Sequence, residues 1–194
     1  MTSSPPAKVF ADANALYPSA LRDILIELTL EGVITLQWSP EVLEELIRAL
    51  VRTRADITPE KGLRMVAAMM EAAPEALVIP PAGTLPATAL PDPDDVHVLA
   101  AALHSGCAAI LTFNVRDFPA DRLTSHQPNL EAIHPDAFLV RLLTTRASAV
   151  LPIIERVSQN LTRPPMSVAV YADSLMRSGL SQTGELLRHL LPTE

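Results

Sequence analysis

The residues in this chain that could do chemistry are mainly carboxylates, and they lie far apart in the sequence. Asp12 ends the apolar run Val9-Phe10-Ala11. Glu44 and Glu45 fall one turn into the segment SPEVLEELIRAL, which starts at Ser39. Asp92, Asp94 and Asp95 open the segment DPDDVHVLAAALHSG, and Asn114 and Asp117 follow the apolar run CAAILTF. Clustered carboxylates repel one another unless a cation lies between them. Oxygen-only ligands favour Mg2+ or Mn2+, which prefer octahedral geometry and keep waters. Such ions acidify water and stabilise both oxygens of an in-line phosphoryl displacement.

Each piece also has an ordinary structural explanation. Asp92 before Pro93 is a good helix N-cap, and Asp94 and Asp95 suit the positive end of a helix dipole. Glu44 and Glu45 flank an apolar stripe, as solvated helix charges do. Asn114 with Asp117, and Asp12 with Asn14, each fit a turn. His97 and His104 are seven apart and read as structural, because no cysteine or second histidine is spaced for a zinc site. Charge spacing alone leaves the metal site and the ordinary explanation both open.

The elements that must position these groups follow from hydrophobic period and capping signals. Residues 8–12 read as strand. Residues 18–31 read as helix, with Leu21, Ile24, Leu25 and Leu28 at helical spacing and Gly32 at its end. A second strand covers 33–38. Ser39 with Pro40, and Thr58 with Pro59, then open two helices as N-cap and first helical residue. ALVIP, 76–80, reads as a third strand, and 80–91 as a proline-rich loop. A helix at 92–106, a strand at 107–113 and a short strand at 129–135 complete the pattern. Strands separated by helices predict an α/β fold, a parallel sheet with helices on both faces. In such sheets function gathers at the carboxyl ends of the strands, and every acidic cluster here flanks a strand–helix junction. From about 136 the chain reads as helix at 136–146, 147–161, 167–179 and 181–190, with breaks at Pro164-Pro165, Gly179 and Gly184. The expected division is an α/β domain, 1–137, and a helical C-terminal extension, 138–194.

Bulk composition narrows the functional classes. A chain of 194 residues with 48% hydrophobic and 19% charged content has material for a core and is not disordered. No apolar run reads as long enough to span a membrane, and no leader is expected. The single cysteine, Cys107, excludes an internal disulfide, suits a reducing cytoplasm and sits among apolar neighbours. A net charge of −7 argues against general attraction to nucleic acid, but not against a local basic rim. Arg52, Arg54, Arg116 and Arg122 are candidates for phosphate contact. No phosphate-binding G-x-x-x-x-G-K-[ST] or G-x-G-x-x-G loop is present. DAN after the first strand lacks the second carboxylate of an aspartyl phosphohydrolase.

VFADANALY, SPEVLEELIRAL and LPDPDDVHVLAAALHSGCAAILTFNVRDFP, in that order, resemble the PIN domain, in the branch that includes VapC-type toxins. The resemblance spans about residues 7–135, and the helical tail resembles an extension found in some members. It implies a PIN-like three-layer α/β/α fold with a central parallel sheet, plus C-terminal helices. It implies a metal-dependent endoribonuclease that hydrolyses RNA phosphodiester bonds, the toxin of a bacterial type II toxin–antitoxin pair. By that resemblance the catalytic residues are Asp12, Glu45 rather than Glu44, Asp95 and Asp117. The metal ligands are Asp12, Asp95, Glu45, Asp117 and Asn114, the cofactor is Mg2+, and Mn2+ substitutes for it. Asn114 departs from the aspartate that many relatives carry, and Asp117 would supply the missing carboxylate or hold metal-bound water. Asn14 would orient the Asp12 loop. The implied partners are RNA and a cognate antitoxin, and the apolar C-terminal helices could either contact that antitoxin or pack a homodimer; no membrane and a cytoplasmic location are expected from the composition. The departure at Asn114 motivates the alternative, a catalytically inactive PIN-fold binding or scaffold protein.

Overall fold

The first strand, β1 (Ala7–Ala11), is buried over its last three residues and delivers the chain directly to Asp12. The computed structural model describes residues 7–160 and 165–190. After Asp12 a single helical turn, α1 (Ala13–Leu16), precedes α2 (Ser19–Leu30), and β2 (Ile34–Gln37) follows. Helices α3 (Pro40–Thr53) and α4 (Pro59–Ala72) each begin as the capping signals require. Ser39 Oγ accepts from the Val42 amide and Thr58 Oγ1 from the Lys61 amide, while proline occupies a first-turn position that needs no donor. A 3-10 turn at Pro93–Asp95 leads into α5 (Val96–Ser105), which Gly106 ends in the left-handed conformation, φ 67°. Then come β3 (Ala109–Leu111), α6 (Ala120–His126), β4 (Glu131–Ile133), α7 (Pro135–Asn160), α8 (Val168–Arg177) and α9 (Ser181–Leu190).

The four strands found among the described residues are all parallel, in the order β2-β1-β3-β4. Val9 stands opposite Leu36 and Ala109, and Leu111 opposite Ala11 and Ile133. This register puts Asp12 and Thr112 side by side at the carboxyl ends of β1 and β3, and the Asp12 amide donates to the Leu111 carbonyl at 3.0 Å. Helices cover both faces of the sheet, the three-layer α/β/α arrangement. One continuous core joins Phe10, Trp38, Leu46 and Phe118 to Phe138 and Ile154 of α7 and to Tyr171 and Leu187 of the last two helices. Cys107 is buried within it.

Several elements differ from the sequence expectation. Residues 76–80 do not form a strand. Leu77 makes one isolated parallel bridge with Trp38, and Pro80 and Pro81 lack the amides that would extend it. The strand expected at 107–113 contracts to three residues, and α1 and α6 are additional short helices. The helices expected at 136–146 and 147–161 run together as α7, and their boundary survives as a kink at Arg146, φ −139°, ψ 34°. Leu161 and the expected break at Pro164 lie outside the described residues. Gly179 does break the chain, with φ 86°. Gly184 does not; it lies within α9, where a Cβ would stand 2.3 Å from Met176 Cγ and 2.8 Å from the Ala172 carbonyl oxygen. It is the contact at which α9 closes on α8.

Helix α7 is also long and apolar enough, by length and composition, to cross a membrane, contrary to the expectation that no such segment exists. Merging two helices across the kink creates that length. Its apolar face packs on protein: Phe138, Leu139, Leu143, Val150 and Ile154 are buried. Arg146 donates to the Val33 carbonyl at 3.1 Å, and Arg156 pairs with Glu27 of α2 and with Glu31 just after it, at 2.8 Å each. The two last helices are tied down as well. Tyr171 Oη donates to the Ala20 carbonyl at 2.8 Å. The Asp136 carboxylate caps α9 by accepting from the amides of Gln182 (3.0 Å) and Thr183 (2.8 Å) and from Thr183 Oγ1 (2.6 Å).

Candidate active site

Asp12 is held by the sheet ends and by the turn it starts. Its carbonyl accepts from the Ala15 and Leu16 amides, which turns the chain into α1. The far end of α1 is closed by the buried Arg22, whose guanidinium donates to the Leu16 carbonyl at 2.9 Å. The Asp12 side chain is 5% exposed. Thr112 Oγ1 donates to its Oδ2 at 2.7 Å, and Asn14 Nδ2 donates to the same oxygen at 2.5 Å. Asn14 also reaches Thr112 Oγ1 (3.0 Å), and its Oδ1 accepts from the Phe113 amide (2.8 Å). Asn14 therefore laces β1 to β3 around the aspartate. Burial raises the Asp12 pKa above its ordinary value, the Thr112 bond opposes this, and the charge of Glu45 adds to it.

Asp95 closes the 3-10 turn that Asp92 starts by accepting from the Asp94 amide at 2.9 Å. Its pKa is pushed up to about 6, first by burial and then by the negative charges of Asp12, Asp92 and Asp117. Glu45 projects from α3 with Oε1 3.0 Å from Nε2 of His97, the second residue of α5. Glu44 points to solvent, 72% exposed, 3.7 Å from Arg48.

Asp12, Glu45 and Asp95 line one cleft of about 600 Å³. Asn114 and Asp117 do not line it. Asn114 is exposed and donates its amide to Thr112 Oγ1, and Asp117 is half-buried in the turn Val115–Asp117. Asp117 is still near enough to Asp95 for its charge to be felt there. The donor chemistry fits a divalent cation: carboxylates that raise one another's pKa are those a cation would relieve. Among the described residues, however, no three histidine, cysteine or acidic side chains form a ready-made cage.

His97, read from the sequence as structural, does not line this cleft but reaches it through Glu45. Burial lowers its pKa, but the hydrogen bond and charge of Glu45, with Glu41 and Asp12, outweigh burial and raise it. Its position two residues after Asp95 was a usable signal. Arg48 also lines the cleft and went unnoticed in the sequence, although it lies one turn after Glu45. Of the candidate phosphate contacts, Arg52 lines the cleft. Arg54 is paired with Asp56 at 2.9 Å, and Arg116 and Arg122 stand outside. Ser178, between α8 and α9, lines the cleft too; no sequence signal marks it.

The PIN domain family model matches residues 8–116, and a model described as the VapC50 C-terminal domain matches residues 135–189. The chain is 32% identical over 99 residues to a Mycobacterium tuberculosis (strain ATCC 25618 / H37Rv) protein described as "Putative ribonuclease VapC50". That match takes in 51% of this chain and 57% of the relative, so it spans little more than half the relative's length. No solved structure matches. With acids from three elements gathered at the carboxyl end of a parallel sheet, and a PIN model that covers more than half of its length, the chain belongs to the PIN-domain family.

Proposed function

We propose that this protein is a metal-dependent endoribonuclease that hydrolyses RNA phosphodiester bonds, and that it is the toxin of a bacterial type II toxin–antitoxin pair acting in the cytoplasm. The observation that carries this reading is the convergence of Asp12, Glu45 and Asp95, from three separate elements, on one cleft beside Arg48 and Arg52. The ribonuclease description of the VapC50 relative agrees with it.

Mg2+, or Mn2+ in its place, would be held by Asp12, Asp95 and Glu45, with Asp117 and Asn114 at the margin. When bound, the cation supplies positive charge to the phosphate and lowers the pKa of water. Thr112 and Asn14 hold the Asp12 carboxylate in one orientation. His97 holds Glu45, which orients the attacking water. Arg48 and Arg52 take the negative charge of the backbone phosphates. In-line attack on phosphorus expels the 3′ oxygen and leaves 5′-phosphate and 3′-hydroxyl ends. An antitoxin would neutralise the enzyme by presenting an arginine or an amphipathic helix to this acidic cleft.

The test incubates the purified protein, free of any partner, with a mixed RNA pool and Mn2+ or EDTA, beside Asp12→Asn. Cleavage that needs the cation and disappears in the variant is the expected result. The exposed position of Asn114 favours one competitor, an inactive binding protein. It predicts no cleavage, and Mn2+ binding no tighter than that of Asp12→Asn.

A further inference from the structure

We propose that the cleft contains a subsite for one unstacked nucleotide, with its base on Phe113 and Tyr17, its phosphate on Arg48 and Arg52, and its outer wall built by the C-terminal helices. This rests on the ribonuclease reading and adds to it the residues that hold one nucleotide of the RNA. The four side chains line the same cleft as the acids, and so does Ser178 of the α8–α9 turn.

Both rings are held in place. The Tyr17 hydroxyl is bonded to Thr53 Oγ1 at 2.7 Å, at the end of α3. Phe113 is fixed at its amide by Asn14, and its ring meets His134 edge-on, with centroids 4.8 Å apart and planes at 86°. On another side Gly179 comes so close that a Cβ there would stand 3.1 Å from the ring's Cε1. A ring gripped this way is a preorganised stacking platform. The two arginines are one turn apart on α3. Arg48 makes loose ion pairs with Glu44 and Glu45, at 3.7 and 3.8 Å, and Arg52 is exposed with no ion-pair partner among the described residues. Exposed guanidinium groups beside fixed aromatic rings suit a phosphate next to a splayed base. A base inside a duplex is already stacked and cannot take this position.

The test uses the full-length chain in an Asp12→Asn background, to prevent cutting, and a short oligoribonucleotide carrying one 2-aminopurine. Affinity is read by anisotropy and stacking by 2-aminopurine emission. Single-stranded RNA is expected to bind at least about tenfold more tightly than its duplex, with emission quenched. Phe113→Leu loses the quench and about tenfold or more in affinity. Arg52→Gln weakens binding and flattens its salt dependence, whereas the exposed Arg64→Gln does neither. Gly179→Ala, which pushes on the ring, also loses the quench; melting curves verify that each variant is folded. Equal binding of single strand and duplex, or a Phe113→Leu variant that keeps both affinity and quench, overturns the proposal. In that event Mn2+-dependent cleavage by the unmodified protein still upholds the nuclease reading. If the unmodified protein neither binds nor cuts RNA, both fail.

Discussion

Nε2 of His97 lies 3.0 Å from Oε1 of Glu45, joining the helix that begins beside Asp95 to the helix that follows β2. Nδ1 of the same ring is buried without a hydrogen-bond partner among the described residues. The imidazole therefore commits its available polar contact to one carboxylate. His97→Leu is expected to free Glu45 and lower the cleavage rate about tenfold or more. His97→Gln, whose amide offers a donor at similar reach, should recover much of it. Initial rates of RNA cleavage, with melting temperature as a control for folding, distinguish the two.

Thr112 Oγ1 sits at the centre of the Asp12 network, donating to the carboxylate and accepting from Asn14 and from the Asn114 amide. Thr112→Val keeps the shape and leaves the buried Asp12 carboxylate without this donor. The expected loss is about 1–3 kcal/mol of stability, read in a denaturant titration. Thr112→Ser retains the hydroxyl and should stay near the original value.

Asp23 makes stability depend on pH. Burial raises its carboxyl pKa, the Glu27 charge adds to this, and Arg22 opposes it. The folded chain thus holds that proton more tightly than the unfolded chain, whose value is near 3.9. Stability from this group is highest in acid and is lost as pH rises through the raised folded value. Asp23→Asn should therefore melt at a higher temperature than the unmodified protein at neutral pH. The difference should vanish below about pH 4; equal melting temperatures at neutral pH would contradict it.

Asp136 is the N-cap of a helix that begins 45 residues later in the chain. Asp136→Ala removes three bonds to Gln182 and Thr183 and should cost about 1–2 kcal/mol or more. The loss should be local. Amide hydrogen exchange is expected to speed up first in α9, while β1 and β3 keep their protection.

The fold was legible where local signals are strong. Ser39-Pro40 and Thr58-Pro59 start α3 and α4 as capping requires, and the apolar runs before Asp12 and Asn114 became β1 and β3. Residues 76–80 misled because β-branched and apolar content resembles a strand, while pairing is decided by available amides and neighbours. Gly184 was misjudged because glycine marks both helix ends and close helix contacts, and only packing separates the two. In the site, Asp12, Glu45 and Asp95 could be named from their elements and from the family resemblance, and the structure brings all three to one cleft. His97, Thr112 and Ser178 act through partners 52 or more residues away, or through the packing of α8 on α9. Periodicity carries no information about such contacts.

The bond between Thr112 and Asp12 spans one hundred residues of chain. On a ribosome adding about 5–20 residues each second, Asp12 waits about 5–20 seconds for its partner. The last cap, from Asp136 to Thr183, forms later still. A nascent chain of this protein therefore carries Asp12 with only the nearby Asn14 to hold it until Thr112 has been made.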